Sequence, residues 1–164
     1  MVRLLIIGAN LRKIMKFVVT KELGKLAKWL RIFGFDTIYF KEATFSTVLI
    51  IAFQEDRIIL TRNTKIGVHS GVRIITIKSN NLAEQLNQVF RELKSKPQKE
   101  KMFSRCILCN EELSHIAKEK IKKKVPEYVY KTQSSFVACP ECKRVYWQGT
   151  HWGKVEEALH AIRS

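Results

Sequence analysis

Two CxxC pairs constrain this chain more than any other feature. Cys106 and Cys109 lie in RCILCNEEL, Cys139 and Cys142 in ACPECKRVYW, and 29 residues separate the two pairs. The chain has no other cysteine. Two such hairpins let four thiolates close a tetrahedron around one zinc ion, and four sulfurs leave no open position for water or substrate. The metal expected at Cys106, Cys109, Cys139 and Cys142 is therefore structural zinc. The competing reading is two disulfides or four independent thiols. A basic chain without a secretion signal argues against disulfides, and unrelated thiols rarely fall into matched pairs.

The segment between the first and last cysteine is too short to stand on apolar burial alone, which is the physical reason for a metal. The rest is long enough for a core, with 46% hydrophobic residues over the whole chain of 164. Six apolar or small residues, LLIIGA, form the apolar part of the opening MVRLLIIGANLRKI. That run is below a signal h-region and far below a bilayer span, so a cytoplasmic protein with no membrane partner is expected. Residues 1–15 read as an N-terminal extension, because a strand-like sequence starts only beyond them.

From there the pattern alternates. KFVVT (16–20) is apolar and β-branched, a short buried strand. Residues 22–33 switch to helical spacing, with Leu23, Leu26, Ala27, Leu30 and Phe33 on one stripe and Gly34 as a stop. Strands follow at 35–40, 57–61 and 72–77. Residues 44–54 form a helix by length, with Thr44 as cap, and 82–93 form another, capped by Asn80 or Asn81. Strands alternating with helices imply right-handed crossovers and a mostly parallel sheet. The expected organisation is an α/β domain over 16–94, a charged linker over 95–104, a zinc ribbon over 105–153 and a C-terminal helix or tail over 154–164.

Charge points to a partner. Lys and Arg number 30 against 15 acids, a formal net charge of +15. Such a field favours polyanions, nucleic acid above all; a solvated surface of a heat-adapted protein would carry matching glutamates. Lys21, Lys25, Lys28 and Arg31 recur on the outer face of the first helix, either as a solvated stripe or as a phosphate-contacting one. Between the cysteine pairs, Lys118, Lys120, Lys122, Lys123 and Lys124 precede Tyr128 and Tyr130. Basic residues beside aromatics can hold phosphates and stacked bases, though tyrosines packed under a solvated helix would look the same. Tyr146, Trp147 and Trp152 read as a roof over the small core. His151 and the other histidines read as caps or surface residues.

In an open parallel sheet, ligands sit beyond the carboxyl ends of the strands. Those ends deliver Thr20, Lys21 and Glu22, then Lys41 and Glu42, then Thr61, Arg62 and Asn63. Asp36 is expected at the opposite end of its strand. A metal-dependent phosphodiesterase needs several carboxylates at one place. Two glutamates make a poor two-metal centre.

KFVV, LGKLAKWLRIFGFDTIYF, RIILTRN, the two CxxC pairs, VPEYVY and GTHW together resemble the Mut-seven C-terminal ribonuclease domain family, over roughly residues 16–153. The resemblance implies a PIN-like nuclease domain joined to a zinc ribbon, acting on RNA with magnesium or manganese held by acids at the strand ends. It places an aspartate where this chain has Thr20, acids near Ser46 and Thr47, and an LTRD motif where this chain ends on Asn63. All three positions are neutral, whereas the cysteines match. The first expectation is thus an RNA-binding protein, weakly active or inactive as a nuclease. In it Lys21, Lys25, Lys28, Arg31, Arg62, Lys122, Lys123 and Lys124 contact RNA, and Thr20, Glu22, Glu42 and Asn63 mark a vestigial site. The alternatives are an active ribonuclease using Glu22 and Glu42, in which magnesium or manganese is required, and a zinc-ribbon adaptor docking on a protein or ribonucleoprotein assembly.

Overall fold

A computed structural model describes residues 15–149 and 151–162, with the side chains of His151 and Trp152 left aside. Apart from Met15, the N-terminal extension lies outside the described residues. Four short parallel strands form the first sheet: β1 (Lys16–Val19), β2 (Asp36–Tyr39), β3 (Ile58–Thr61) and β4 (Ile74–Thr76), in the order β2-β1-β3-β4. Alternate side chains of a strand face opposite ways, and β1 is buried on both. Phe17 and Val19 join the core beneath α1 (Gly24–Ile32) and α3 (Leu82–Glu92), while Val18 joins a smaller core beneath α2 (Phe45–Gln54). The result is three layers, with α1 and α3 on one face of the sheet and α2 on the other. An apolar run such as KFVV is what burial on both faces demands.

The helix ends follow their sequences. The Thr44 hydroxyl accepts from Thr47 N at 3.2 Å, and Asn81 Oδ1 accepts from Ala83 N at 2.9 Å, so both caps form as expected. Gly34, at φ +86°, lets the chain leave α1 in the left-handed conformation. A Cβ there would lie 2.1 Å from the Lys101 carbonyl oxygen, so this turn requires glycine twice over, for its φ and for its space.

The same close approach shows that the stretch expected as a linker packs on the domain. Phe103 N donates to Ile32 O at 2.8 Å, and Met102 is buried in the core of α1 and α3. A charged, proline-interrupted segment can still bury Met102 and pack Phe103 against that core. The C-terminal helix α5, which spans His151–Ala161 after the short α4 (Glu127–Thr132), returns to the same core through Val155. Ile162, just beyond it, is buried there as well.

Between these lies the four-cysteine module. Its sheet is antiparallel, β5 (Ser114–His115), β6 (Phe136–Ala138) and β7 (Val145–Trp147). Its buried apolar cluster is Ile121, Val125, Val129 and Phe136, a core too small to hold a fold unaided. No helix of the described residues is long and apolar enough to cross a membrane.

Candidate functional site

The two CxxC turns are built alike. Cys106 N donates to Glu111 O at 2.8 Å and Asn110 N to Cys106 O at 2.9 Å. In the second turn, Cys139 N donates to Arg144 O at 2.9 Å and Lys143 N to Cys139 O at 3.1 Å. Asn110 and Lys143, each directly after the second cysteine of its pair, have φ of 69° and 61°. This repeated turn brings the four sulfurs within 4.8 Å of one another, with Cys106 and Cys142 at 3.7 Å. Zn–S bonds of ~2.3 Å at tetrahedral angles would place sulfurs about 3.8 Å apart. All four are free thiols, so disulfides are set aside and the donor set fits one metal ion of the zinc type.

A donor that sequence reading gave only a packing role sits beside these sulfurs. Tyr146 Oη lies 3.1 Å from Cys106 Sγ. Burial opposes ionisation of Cys106, but the Tyr146 hydroxyl and the Cys109 backbone N–H outweigh it and bring the thiol down to about 6. The same burial, with the thiolate alongside, pushes Tyr146 up, so the hydroxyl keeps its proton and donates. Proton sharing with Cys142, then burial and the charge on Cys106, push Cys109 up to about 12. Four sulfurs this close ionise together only around a cation.

The first turn is docked on the α/β domain. Arg31, expected on the outer basic face of α1 as a phosphate-contacting residue, is buried instead. Its Nε donates to Thr37 O at 2.9 Å, and its Nη1 donates to Ile107 O and Leu108 O, both at 2.8 Å. Lys21, Lys25 and Lys28 are exposed, as their helical spacing opposite the apolar stripe implies. One turn further on, however, the cysteine turn covers the helix, and Arg31 supplies donors to its carbonyls. Burial lowers the pKa of Arg31, opposed by the Cys106 and Cys109 thiolates and by Asp36; the guanidinium stays charged. Asn110 completes the joint: its Nδ2 donates to Asp36 Oδ1 at 2.7 Å and its Oδ1 accepts from Thr37 N at 2.8 Å. Asp36 also takes Arg57 Nη1 at 2.7 Å. Asp36 thus stands at the far end of β2 from the strand-end cavity, as expected, and serves structure. Only the asparagine directly after Cys109 hinted at this joint.

At the carboxyl ends of β1, β2 and β3 opens a cavity of about 510 Å³, lined by Thr20, Lys21, Glu22, Lys41, Glu42 and Asn63 among others. The structure therefore brings together the residues named from sequence as a vestigial site. Arg62 is not among the residues lining it; its backbone N–H donates to Glu22 Oε1. Ser46 and Thr47 start α2, but Phe45 and Val48 are the residues of that helix that face the cavity.

Glu22 Oε1 accepts from Thr20 Oγ1 at 2.7 Å, Arg62 N at 2.9 Å and Thr61 Oγ1 at 3.1 Å. Burial would raise its pKa, but these three donors hold it below the usual glutamate value. Glu22 is charged and already satisfied on one oxygen. Among the described residues, no third carboxylate, histidine or cysteine joins Glu22 and Glu42 in a metal-binding group. Magnesium and manganese need a near-octahedral set of oxygens. The residues present do not fit that ion, and no step is derived through it.

Lys122, Lys123 and Lys124 are exposed on the four-cysteine module, as is Tyr128. Tyr130 packs against the small core with the Lys118 ammonium 5.0 Å from its ring centroid. Tyr130 thus takes the packing role, while Tyr128 lies on the surface.

Comparison with curated proteins and with solved structures returns no match. The family model of the Mut7-C RNAse domain, in contrast, matches residues 15–159, from the start of β1 into α5. A match over nearly the whole chain, with the parallel sheet and the four-thiol centre in place, settles the kinship: this chain belongs to the Mut7-C RNAse domain family.

Proposed function

We propose that this protein binds RNA through its basic surface and has lost most or all of the cleavage chemistry of its family, with structural zinc in the four-thiol site. The observation that carries the reading is the carboxylate content of the strand-end cavity. Glu22 spends one oxygen on three internal donors, Glu42 is its only acidic companion among the described residues, and Thr20 and Asn63 stand where the family resemblance places aspartates. Phosphodiester hydrolysis by metal ions needs charge at those points to hold the cations that clamp the attacking and leaving oxygens. The binding side has no such deficit. Lys21 just before α1 and Lys25 and Lys28 on it are exposed, as are Lys122, Lys123 and Lys124 on the zinc ribbon. Arg31 is withdrawn from this surface, because its guanidinium is used at the joint.

A second reading, an active ribonuclease, has one observation in its favour: Glu22 and Glu42 open on the same cavity. Magnesium or manganese enters the account only there.

Fluorescence anisotropy with a labelled single-stranded RNA, repeated over a salt series, tests the binding. The Lys25→Glu/Lys28→Glu variant should weaken binding and lower the slope of log K against log salt by about one to two, since each phosphate contact to a single strand contributes about 0.7. Unchanged affinity and slope would reduce that stripe to solvated surface. No affinity at moderate salt in the unaltered protein would defeat the RNA reading and favour a ribbon that docks on protein.

A further inference from the structure

The strand-end cavity lacks what a divalent cation needs, and the residues in place of the acids have a chemistry of their own. The geometry points to a metal-independent phosphate site: the cavity takes a phosphodiester group of RNA directly, with the Lys21 and Lys41 ammoniums and the Asn63 side-chain amide as donors. The inference rests on the RNA-binding reading and deepens it, naming where one phosphate sits and what it does not require.

Three observations carry it. An ionised carboxylate only accepts hydrogen bonds, so a cavity rich in aspartate admits phosphate only behind a cation; an amide or an ammonium donates. Asn63 lines the cavity at an exposed position, and its Oδ1 accepts from Lys65 N at 3.0 Å. That bond fixes the amide and leaves its NH₂ as the group offered to a ligand. Lys21 and Lys41 line the same cavity, both exposed, and among the described residues neither ammonium has an ion-pair partner.

One oxygen of the remaining acid next to Lys21 is occupied from within. Glu22 Oε1 receives the Thr20 and Thr61 hydroxyls and the Arg62 N–H, three neutral donors that hold the carboxylate in place. Thr20 is therefore no phosphate ligand; its hydroxyl is taken up by the Glu22 carboxylate, which stays charged. With two lysines against two glutamates the lining is balanced, and aspartates at 20 and 63 would turn it to minus two. A volume of about 510 Å³ leaves room for a phosphate with its sugar edge and water, at ~30 Å³ for each water.

The test uses the full zinc-loaded chain in buffer freed of magnesium and manganese by a chelating resin, since a soluble chelator would attack the thiolate site. A labelled single-stranded RNA reports affinity, and inorganic phosphate, against chloride at equal ionic strength, reports through the backbone amide resonances of Lys41 and Asn63. The unaltered protein should bind RNA without divalent metal, with affinity changing less than about twofold when either cation is added beyond its effect on ionic strength. Phosphate should shift both resonances.

The Thr20→Asp/Asn63→Asp variant should lose the phosphate shifts and bind RNA about tenfold more weakly without metal, by the loss of a contact and the added repulsion. Manganese should restore its binding. Lys41→Glu, at an exposed position, gives the same metal-free loss should the double variant fail to fold. A ribbon variant, Lys122→Glu/Lys123→Glu/Lys124→Glu, should weaken RNA binding and leave the phosphate shifts intact. RNA binding that requires magnesium or manganese in the unaltered protein would overturn the inference, as would cavity variants matching it in both readouts. Phosphate shifts without any RNA affinity would sink the RNA reading and keep the phosphate site.

Discussion

Cys142→Ser releases the metal and unfolds the ribbon. Zinc content, measured on the purified variant, should fall from one ion per chain toward none, because three thiolates and a hydroxyl hold zinc far more weakly than four thiolates. Structural zinc contributes roughly 10–16 kcal/mol in small modules of this kind. Against that, the ribbon has only Ile121, Val125, Val129 and Phe136 as a buried cluster. The sequence alone suggests that the α/β sheet would persist. The structure modifies this expectation, since the first cysteine turn caps the buried Arg31 and receives Asp36 through Asn110. The α/β domain should remain folded, with its melting temperature lowered. Full zinc occupancy in the variant would remove the four-thiol assignment; an unchanged melting temperature of the α/β part would remove the coupling.

The second large effect is at the joint itself. Arg31→Ala removes three donors from the carbonyls of Thr37, Ile107 and Leu108 at a site where the residue is 8% exposed. Hydrogen bonds from a charged group and the acceptors left unsatisfied make the cost about 3 kcal/mol. In a chain of this length that is a drop of ~10 °C in Tm. Arg31→Lys should recover little, because one ammonium cannot reproduce the fork that reaches carbonyls on two sides. Lys28→Ala, on the exposed stripe of the same helix, should stay within about 0.5 kcal/mol. Equal effects at the two positions would mean that the joint contributes nothing.

The joint also has a pH signature. Burial works to raise the Asp36 pKa, but hydrogen bonds from Arg57 and Asn110 and the charges of Arg57 and Arg105 hold it below the ordinary aspartate value. A depressed folded-state pKa means a contribution fully present above the unfolded value of about 3.9 and lost as pH falls through the folded one. Acid should therefore loosen this end of the sheet only below that range.

Elements with local signatures were legible from sequence. KFVV, the 3.6-residue stripe of α1, the caps at Thr44 and Asn81 and the CxxC pairs each state their own conformation. The strand-end residues Thr20, Glu22, Glu42 and Asn63 were placed together by the parallel-sheet rule alone. Arg31 was not legible, because its burial depends on a turn more than seventy residues later that covers one end of α1. The packing of Met102, Val155 and Ile162 in the first core escaped for the same reason: each lies in a short, charge-rich stretch, and only tertiary contact decides its place. The Tyr146 hydroxyl beside Cys106 carries no sequence mark that separates it from an ordinary core aromatic.

The most direct test of the central claim is a cleavage assay on mixed structured and single-stranded RNAs, with magnesium and then manganese, beside a Glu22→Gln/Glu42→Gln control. The account predicts that the RNA is bound and remains uncut, or is cut at a trace rate that the control shares. Cleavage that depends on manganese or magnesium and vanishes in the control would contradict it, and would show that two glutamates suffice for the chemistry of this family.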